Sequence, residues 1–154
     1  MSGPAERLAA LGLTLPPVAA PVAAYVPAVR TGPYVYTSGQ LPTVDGKLPA
    51  VGKVGDEIGA QDAAGMARTC ALNALAAAAA AAGGLAAIRR IVKVTGFVAS
   101  APGFGGQAQV INGASELLIE VFGEDGKHSR SAIGVAELPL NAPVEVELIA
   151  EVRD

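Results

Sequence analysis

The sequence predicts an α/β (α+β) domain in which two long helices cover one face of a single β-sheet. The chain has 154 residues, of which 51% are hydrophobic and 16% charged, so it can bury the core of one globular domain. Two long segments have helical composition or spacing, and several short apolar or alternating segments have the character of strands. Their order, β-β-α-β-α-β-β, is typical of one sheet backed by helices.

The N-terminal part is predicted to be an extension. Residues 5–12 have the composition of a short helix that ends at Gly12, and a proline-rich connector, LPPVAAPVAA, follows. We therefore expect residues 1–20 to form this extension and residues 21–154 to form one domain.

The first half of the domain contains a predicted hairpin and a long helix. Its strands are Tyr25–Val29 and Tyr34–Ser38, with a turn at Thr31-Gly32 between them. The glycines of residues 43–55 predict a loop or a small hairpin. A helix is predicted from Asp56 to about Ala82, because alanine has the highest helix propensity and two glycines follow the run.

The second half alternates strands with one amphipathic helix. Helical spacing of apolar residues predicts the helix, and apolar or alternating runs predict the strands. The predicted elements are the strand Ile91–Ala99, the helix Gln107–Phe122, and the strands Ser129–Glu137 and Val144–Val152. If the last two strands form a hairpin centred near Leu140-Asn141, Arg130 lies opposite Glu151.

One face of the predicted sheet is left without a cover. This face is expected to carry Val, Ala and Ile, and the chain supplies no further element to bury them. Self-association is the natural way to remove such a face from water.

Charge and rare residues exclude several classes of function. The net charge of −3, without a clustered basic patch, argues against nucleic-acid binding. The single cysteine, Cys70, excludes an internal disulfide and a cysteine-based zinc site, and is expected to be a small core residue. The single histidine, His128, excludes a histidine-rich metal site within one subunit. The most apolar stretch, residues 71–88, is mostly alanine and predicts a packed helix rather than a membrane span. We expect a cytoplasmic protein.

Arg130 and two glutamates of the last strand are candidates for chemistry. An arginine inside an otherwise apolar strand suits bidentate recognition of a carboxylate, with a cross-strand ion pair to Glu151 as the alternative. Glu145 and Glu147 lie two residues apart and therefore share one face of their strand. Either carboxylate could hold or deprotonate a water, and a solvated sheet face is the alternative.

Other polar positions are less informative by themselves. Ser38 follows a strand, but no neighbouring histidine or lysine would activate it as a nucleophile. Gly39 leaves room for a ligand to approach the backbone. Tyr25 is typical of a core or interface aromatic, Asn112 of a helix surface, and His128 of an exposed loop.

Read together, these positions resemble a known family. Tyr25, YTSGQLP at 36–42, VIN at 110–112 and RSAIGVAELPLNAPVEVE at 130–147 are similar to the Rid/YjgF family of reactive-intermediate deaminases, also labelled endoribonuclease L-PSP. The similarity covers residues 20–152. It implies a chorismate-mutase-like fold, in which a mixed β-sheet is backed by two helices. It also implies a homotrimer with a central β-barrel and clefts between subunits.

The resemblance also implies an activity and residue roles. Members hydrolyse 2-imino acids such as 2-aminoacrylate to 2-keto acids and ammonia, without a metal or organic cofactor. By this similarity Arg130 pairs with the substrate carboxylate and Glu145 positions the attacking water. The cleft is lined by Asn112, by Ser38 and Gly39, and by Tyr25 of a neighbouring subunit.

The sequence departs from the family pattern at Ala132, before Tyr25, in its N-terminal extension, and in longer segments around 43–60 and 122–128. Ala132 stands where the family has a cysteine, and it can serve if that position acts through its backbone N–H. Ala23-Ala24 replaces a glycine-proline pair before the tyrosine. These changes indicate a less characterised subgroup with an altered cleft. Two alternatives to the deaminase stay open: a trimer that binds a small carboxylate such as a 2-keto acid without turnover, and an endoribonuclease.

Overall fold

The computed structural model describes residues 2–20 and 24–154 of the chain. Residues 21–23 of the proline-rich connector, which include Ala23, lie outside the described residues. The helices and strands, in chain order, are α1 (Pro4–Ala10), β1 (Ala28–Thr31), β2 (Tyr34–Thr37), α2 (Ala60–Ala82), β3 (Ile88–Ala99), α3 (Gln107–Phe122), β4 (Ser129–Val135) and β5 (Val144–Val152).

The strands form one mixed sheet in the order β1-β2-β5-β3-β4. All neighbours are antiparallel except β3 and β4, which are parallel and joined by α3. This crossover follows from geometry, because parallel strands cannot be joined by a tight turn. The predicted class, a sheet with two long helices on one face, is confirmed.

The predicted hairpin between the last two strands is wrong. Arg130 lies opposite Val94 of β3, and Glu151 lies opposite Tyr34 of β2 and Arg90 of β3. The segment from 136 to 143 turns as expected, but it carries the chain past the end of β3 and into the centre of the sheet. Spacing along the sequence cannot distinguish such a connection from a hairpin.

The boundaries of several elements also differ from the prediction. Tyr25 precedes β1 rather than lying in it, β3 begins at Ile88, and β4 ends at Val135 rather than Glu137. The long helix begins at Ala60 instead of Asp56. Residues 53–59 form a separate turn, in which the Glu57 carboxylate accepts a hydrogen bond from the Lys53 N–H at 2.8 Å.

The core lies between the sheet and the helices α2 and α3. Alternate residues of β5 face it, from Val144 to Val152, and every one is buried. The alanines of α2 let the two helices approach closely, with Gly113 of α3 packed against the backbone of Ala64. α1 adds Leu8 to the same core.

The sheet face away from the helices differs from the expectation of Val, Ala and Ile. Because side chains alternate along a strand, the buried apolar residues of β5 point at the helices, and its three glutamates, together with Ile149, point away. The open face mixes aromatic and aliphatic groups with charged and polar ones, among them Tyr36, Thr95, Phe97, Glu145, Glu147 and Ile149. Among the described residues, none of the helices is long and apolar enough to cross a membrane.

Candidate functional site

Arg130 lies on the edge strand β4, with its side chain directed at α3. Its Nη1 donates to Asn112 Oδ1 at 2.8 Å and to Ser115 Oγ at 3.3 Å. Its Nη2 donates to the Ala108 carbonyl at 3.4 Å. The ion pairs within residues 2–20 and 24–154 do not include Arg130, and Glu151 contacts Arg89 instead. The guanidinium is therefore hydrogen-bonded to neutral groups, and no carboxylate of the described residues is paired with it.

His128 belongs to the same cluster. Its Nδ1 lies 2.6 Å from the Gly126 carbonyl oxygen and its Nε2 lies 2.9 Å from Ser115 Oγ. The expectation of an exposed loop histidine is wrong, because the side chain is half-buried against α3. Burial lowers the pKa of His128, the hydrogen bond to Gly126 raises it, and the charge of Arg130 lowers it further, for a net decrease.

Sequence reasoning missed Ser115 altogether. The position carried a signal, because Ser115 lies three residues after Asn112 and so shares its helix face. His128 similarly lies two residues before Arg130, on the approach to β4. The packing of α3 along β4 brings these side chains together, and residue spacing along the sequence does not predict that packing.

Glu145 lies on β5, on the sheet face away from the helices. Burial raises the pKa of this carboxyl, and the charge of Glu147 on the same face adds to the increase. Gly39 packs directly against the carboxylate: a Cβ at position 39 would lie 2.8 Å from Glu145 Cδ and would overlap Oε1. The absence of a side chain at Gly39 therefore sets where the carboxylate lies.

Ser38 ties the segment before β1 to the end of β2. Its Oγ donates to the Val26 carbonyl at 2.6 Å, and its N–H donates to the Pro27 carbonyl at 2.8 Å. The hydroxyl proton is thus used in holding backbone, which fits a structural role better than a nucleophilic one. Tyr25, next to this tether, is 49% exposed.

Ala132 lies on β4 opposite Gly96, with its methyl group packed against the core. The Val135 carbonyl accepts a hydrogen bond from the Ser100 N–H, on the β3 side. Backbone polar groups alternate in direction along a strand, so the N–H of Ala132 points away from β3 at the free edge of the sheet. It lies on the same edge as Arg130.

The candidate residues form two groups within one chain. Arg130, Asn112 and Ala132 lie at the β4 edge on the helix side, whereas Glu145 and Gly39 lie on the open face. β3 separates the two strands, and Arg130 is level with Val94 while Glu145 is level with Phe97. Typical strand geometry then separates the two backbones by about 10 Å across the sheet and about 10 Å along it. One chain does not bring both groups to one small substrate.

The single cysteine of the chain is buried. Cys70 is fully buried, its Sγ lies 3.7 Å from the Val144 carbonyl oxygen, and burial raises the pKa of the thiol. The expectation of a small core residue is confirmed. Among the described residues, no group of three or more His, Cys, Asp or Glu side chains is arranged to hold a metal ion.

Comparison with known proteins gives matches over nearly the whole chain. The family model described as "YjgF/chorismate_mutase-like, putative endoribonuclease" matches residues 5–152. Protein TCP17 of Trypanosoma cruzi is 42% identical over 151 residues, covering 97% of this chain and 94% of that protein.

Two solved structures illustrate the similarity of the fold. A protein of unknown function from Agrobacterium tumefaciens is 46% identical, with a TM-score of 0.90, covering 97% of this chain and 92% of that one. Escherichia coli TdcF, solved with bound serine, is 29% identical, with a TM-score of 0.61, covering 89% and 94% of the two chains. The fold is shared with both and is closer to the first.

Proposed function

Because this chain belongs to the YjgF/chorismate-mutase-like family, also known as Rid or endoribonuclease L-PSP, we propose that it hydrolyses 2-imino acids to 2-keto acids and ammonia. The observation that carries the proposal is the guanidinium of Arg130, held by Asn112 and Ser115 at an open sheet edge, without a carboxylate partner among the described residues. Such a group suits the carboxylate of a small acid. The serine bound in TdcF carries the same carboxylate on a backbone of similar size.

The residues supply binding and water positioning. Arg130 and the outward N–H of Ala132 bind the substrate carboxylate, which fixes the adjacent imine carbon. Glu145 accepts a hydrogen bond from a water and directs its oxygen at that carbon. Water adds across the C=N bond, a proton passes to the nitrogen, and ammonia leaves as the C=O bond forms. Burial and Glu147 raise the pKa of Glu145, which makes it a stronger proton acceptor for this step.

Two copies of the chain are needed for this chemistry. Arg130 and Glu145 lie on opposite faces and too far apart within one chain to hold one small acid. We therefore assign Arg130 and Ala132 to one subunit, and Glu145, Gly39 and Tyr25 to its neighbour. The resemblance gives a homotrimer with clefts between subunits, and the amphipathic open face supports such an assembly.

The test is hydrolysis of 2-imino acids that an amino-acid oxidase generates in situ, in the same reaction mixture. Wild type is expected to accelerate imine loss, and Arg130→Ala to abolish the acceleration. Arg68→Ala is the matched control, because it removes a guanidinium that is paired with Glu120 on the helical layer. No acceleration by folded wild type over a panel of imino acids would refute the deaminase.

Ala132, in place of the family's cysteine, favours a second candidate, in which the assembly binds a 2-keto acid without turnover. This candidate predicts carboxylate binding that depends on Arg130, with no imine hydrolysis. RNA cleavage, which the family description includes, is disfavoured by the net charge of −3.

A further inference from the structure

A continuous chain of hydrogen bonds leads from the backbone to Arg130. It begins at the Gly126 carbonyl, passes through the imidazole of His128 and the hydroxyl of Ser115, and ends at Arg130 Nη1. The steps are 2.6, 2.9 and 3.3 Å. Three elements meet in it: the turn after α3, α3 itself and the edge strand β4.

The direction of each hydrogen bond follows from the first. A carbonyl oxygen only accepts, so Nδ1 of His128 carries a proton and donates to Gly126. In the neutral imidazole Nε2 is then an acceptor. The hydroxyl of Ser115 donates to Nε2, which leaves its oxygen lone pairs to accept from Arg130. No step of this chain conflicts with another.

From this geometry we infer that Ser115 and His128 are positioning residues for Arg130. They fix one nitrogen of the guanidinium from the α3 side, and Asn112 fixes the same nitrogen from one helical turn before. Nη2 uses one N–H on the Ala108 carbonyl, so its second N–H and the N–H of Nε remain to meet a ligand at the sheet edge. The inference rests on the proposed function, because it assumes that Arg130 binds the substrate carboxylate.

Burial first, and then the charge of Arg130, lower the pKa of His128, and both favour the neutral imidazole. The surrounding cavity and cluster contain more cations than carboxylates: Arg90 of β3, Lys127 and Arg130 against Glu151 of β5, with Tyr34 of β2 as a further titratable group. On α3, the group that contacts the imidazole is the uncharged Ser115. A bound carboxylate would neutralise Arg130, so we expect ligand binding to raise the pKa of His128, which the charge of Arg130 lowers.

The experiment compares Ser115→Ala, His128→Phe and His128→Gln with wild type. Glutamine retains an acceptor near the Nε2 position, and phenylalanine does not. Thr69→Ala is the control, because it removes a helix hydroxyl whose hydrogen bond, within the described part of the chain, goes to the carbonyl of Gly65 on its own helix. The readouts are KM and kcat for a 2-imino acid and, by calorimetry, Kd for pyruvate.

We expect Ser115→Ala and His128→Phe to raise KM and Kd about tenfold, as for one lost hydrogen bond to a charged group, with kcat changed much less. His128→Gln should recover most of the affinity, and Thr69→Ala should match wild type. Since the chain has a single histidine, NMR of the imidazole nitrogens reports His128 alone. Its neutral form should carry the proton on Nδ1, and its pKa should rise in Arg130→Ala and on pyruvate binding.

The outcomes separate this inference from the proposed function. If wild type is active and Arg130→Ala is not, but Ser115→Ala and His128→Phe keep wild-type KM and Kd, the positioning role is overturned alone. A neutral imidazole protonated on Nε2 would also overturn it. If folded wild type neither hydrolyses imines nor binds pyruvate, the proposed function fails, and the role of this hydrogen-bond chain in substrate binding fails with it.

Discussion

Gly39→Ala tests whether the position of the Glu145 carboxylate controls the chemistry. The backbone at Gly39 has no left-handed φ, so alanine meets no conformational penalty there. The added Cβ would lie 2.8 Å from Glu145 Cδ and 3.1 Å from Cγ, and would overlap Oε1. Ordinary contact begins near 3.4 Å, so the carboxylate must move.

The expected effects on stability and on activity are therefore very different. The atoms that must move are the flexible end of the half-buried Glu145 side chain. A change of rotamer there lowers the free energy of unfolding by only about 1 kcal/mol. A displacement of about 1 Å at a group that directs the attacking water lowers the rate about 100-fold. We expect kcat for imine hydrolysis to fall by that factor, with little change in the free energy of unfolding.

The assay is steady-state imine hydrolysis beside urea unfolding of the same preparations. Gly65→Ala is the matched control: position 65 lies within α2 and has no atom within 4 Å of an added Cβ. This change should stabilise the protein by about 0.5–1 kcal/mol and leave kcat unchanged. Wild-type kcat in Gly39→Ala would refute the role given to the carboxylate position.

Three further predictions concern stability and reactivity. Gly113→Ala places a methyl group against the Ala64 backbone, with Cβ at 2.8 Å from the Ala64 carbonyl carbon. This change should lower the free energy of unfolding by about 2 kcal/mol and Tm by about 4–8 °C. An unchanged Tm would contradict the packing described. Burial and Glu147 raise the pKa of Glu145 above 4.5, so the stability that it contributes is present below that pH and is lost as the pH rises through the raised pKa. Glu145→Gln should then stabilise the fold at pH 7 by about 0.5 kcal/mol while abolishing hydrolysis, and a loss of stability in urea would contradict this. Cys70 is buried with a raised pKa, so a thiol reagent should modify it only as the protein unfolds; rapid labelling of native protein would contradict its placement.

The elements with a clear periodic pattern could be predicted to the residue. The bounds of α3 and of β5 are those predicted, because α3 has a strong apolar stripe and β5 alternates strictly. The alanine run of α2 gave no such stripe, and the start of that helix was misplaced by four residues. There the side chain of Glu57 stabilises a turn that competes with the helix.

Long-range pairing could not be read from spacing. The position of β5 between β2 and β3 separates Arg130 from Glu151 and overturns the ion pair suggested for them. The alternation that located β5 also divides its residues into two sets, one for each face of the sheet. Which set faces the helices depends on where the helices pack, and the sequence pattern does not give that. For this reason the composition of the open face was predicted only in part: it carries Ile133 and Ile149, but also Tyr36, Glu145 and Glu147.

The candidate site was predicted unevenly. Arg130 and Glu145 carried some chemical signal of their own, whereas Asn112 and Tyr25 were recognisable only through the family resemblance. The burial of His128 and its contact with Ser115 depend on how α3 lies along β4, which no local pattern encodes. The roles of all these residues in a reaction remain predictions.

The central claim is that one site is built from Arg130 of one subunit and Glu145 of its neighbour. Co-expression of Arg130→Ala and Glu145→Gln chains, each inactive alone and each carrying a different affinity tag, tests it directly. Double-tag purification isolates the mixed assemblies, whose imine hydrolysis is then measured. In a mixed trimer of either composition, one of the three interfaces joins an intact Arg130 to an intact Glu145, so activity should return to about a third of the wild-type value. Mixed assemblies without activity would contradict a site shared between subunits.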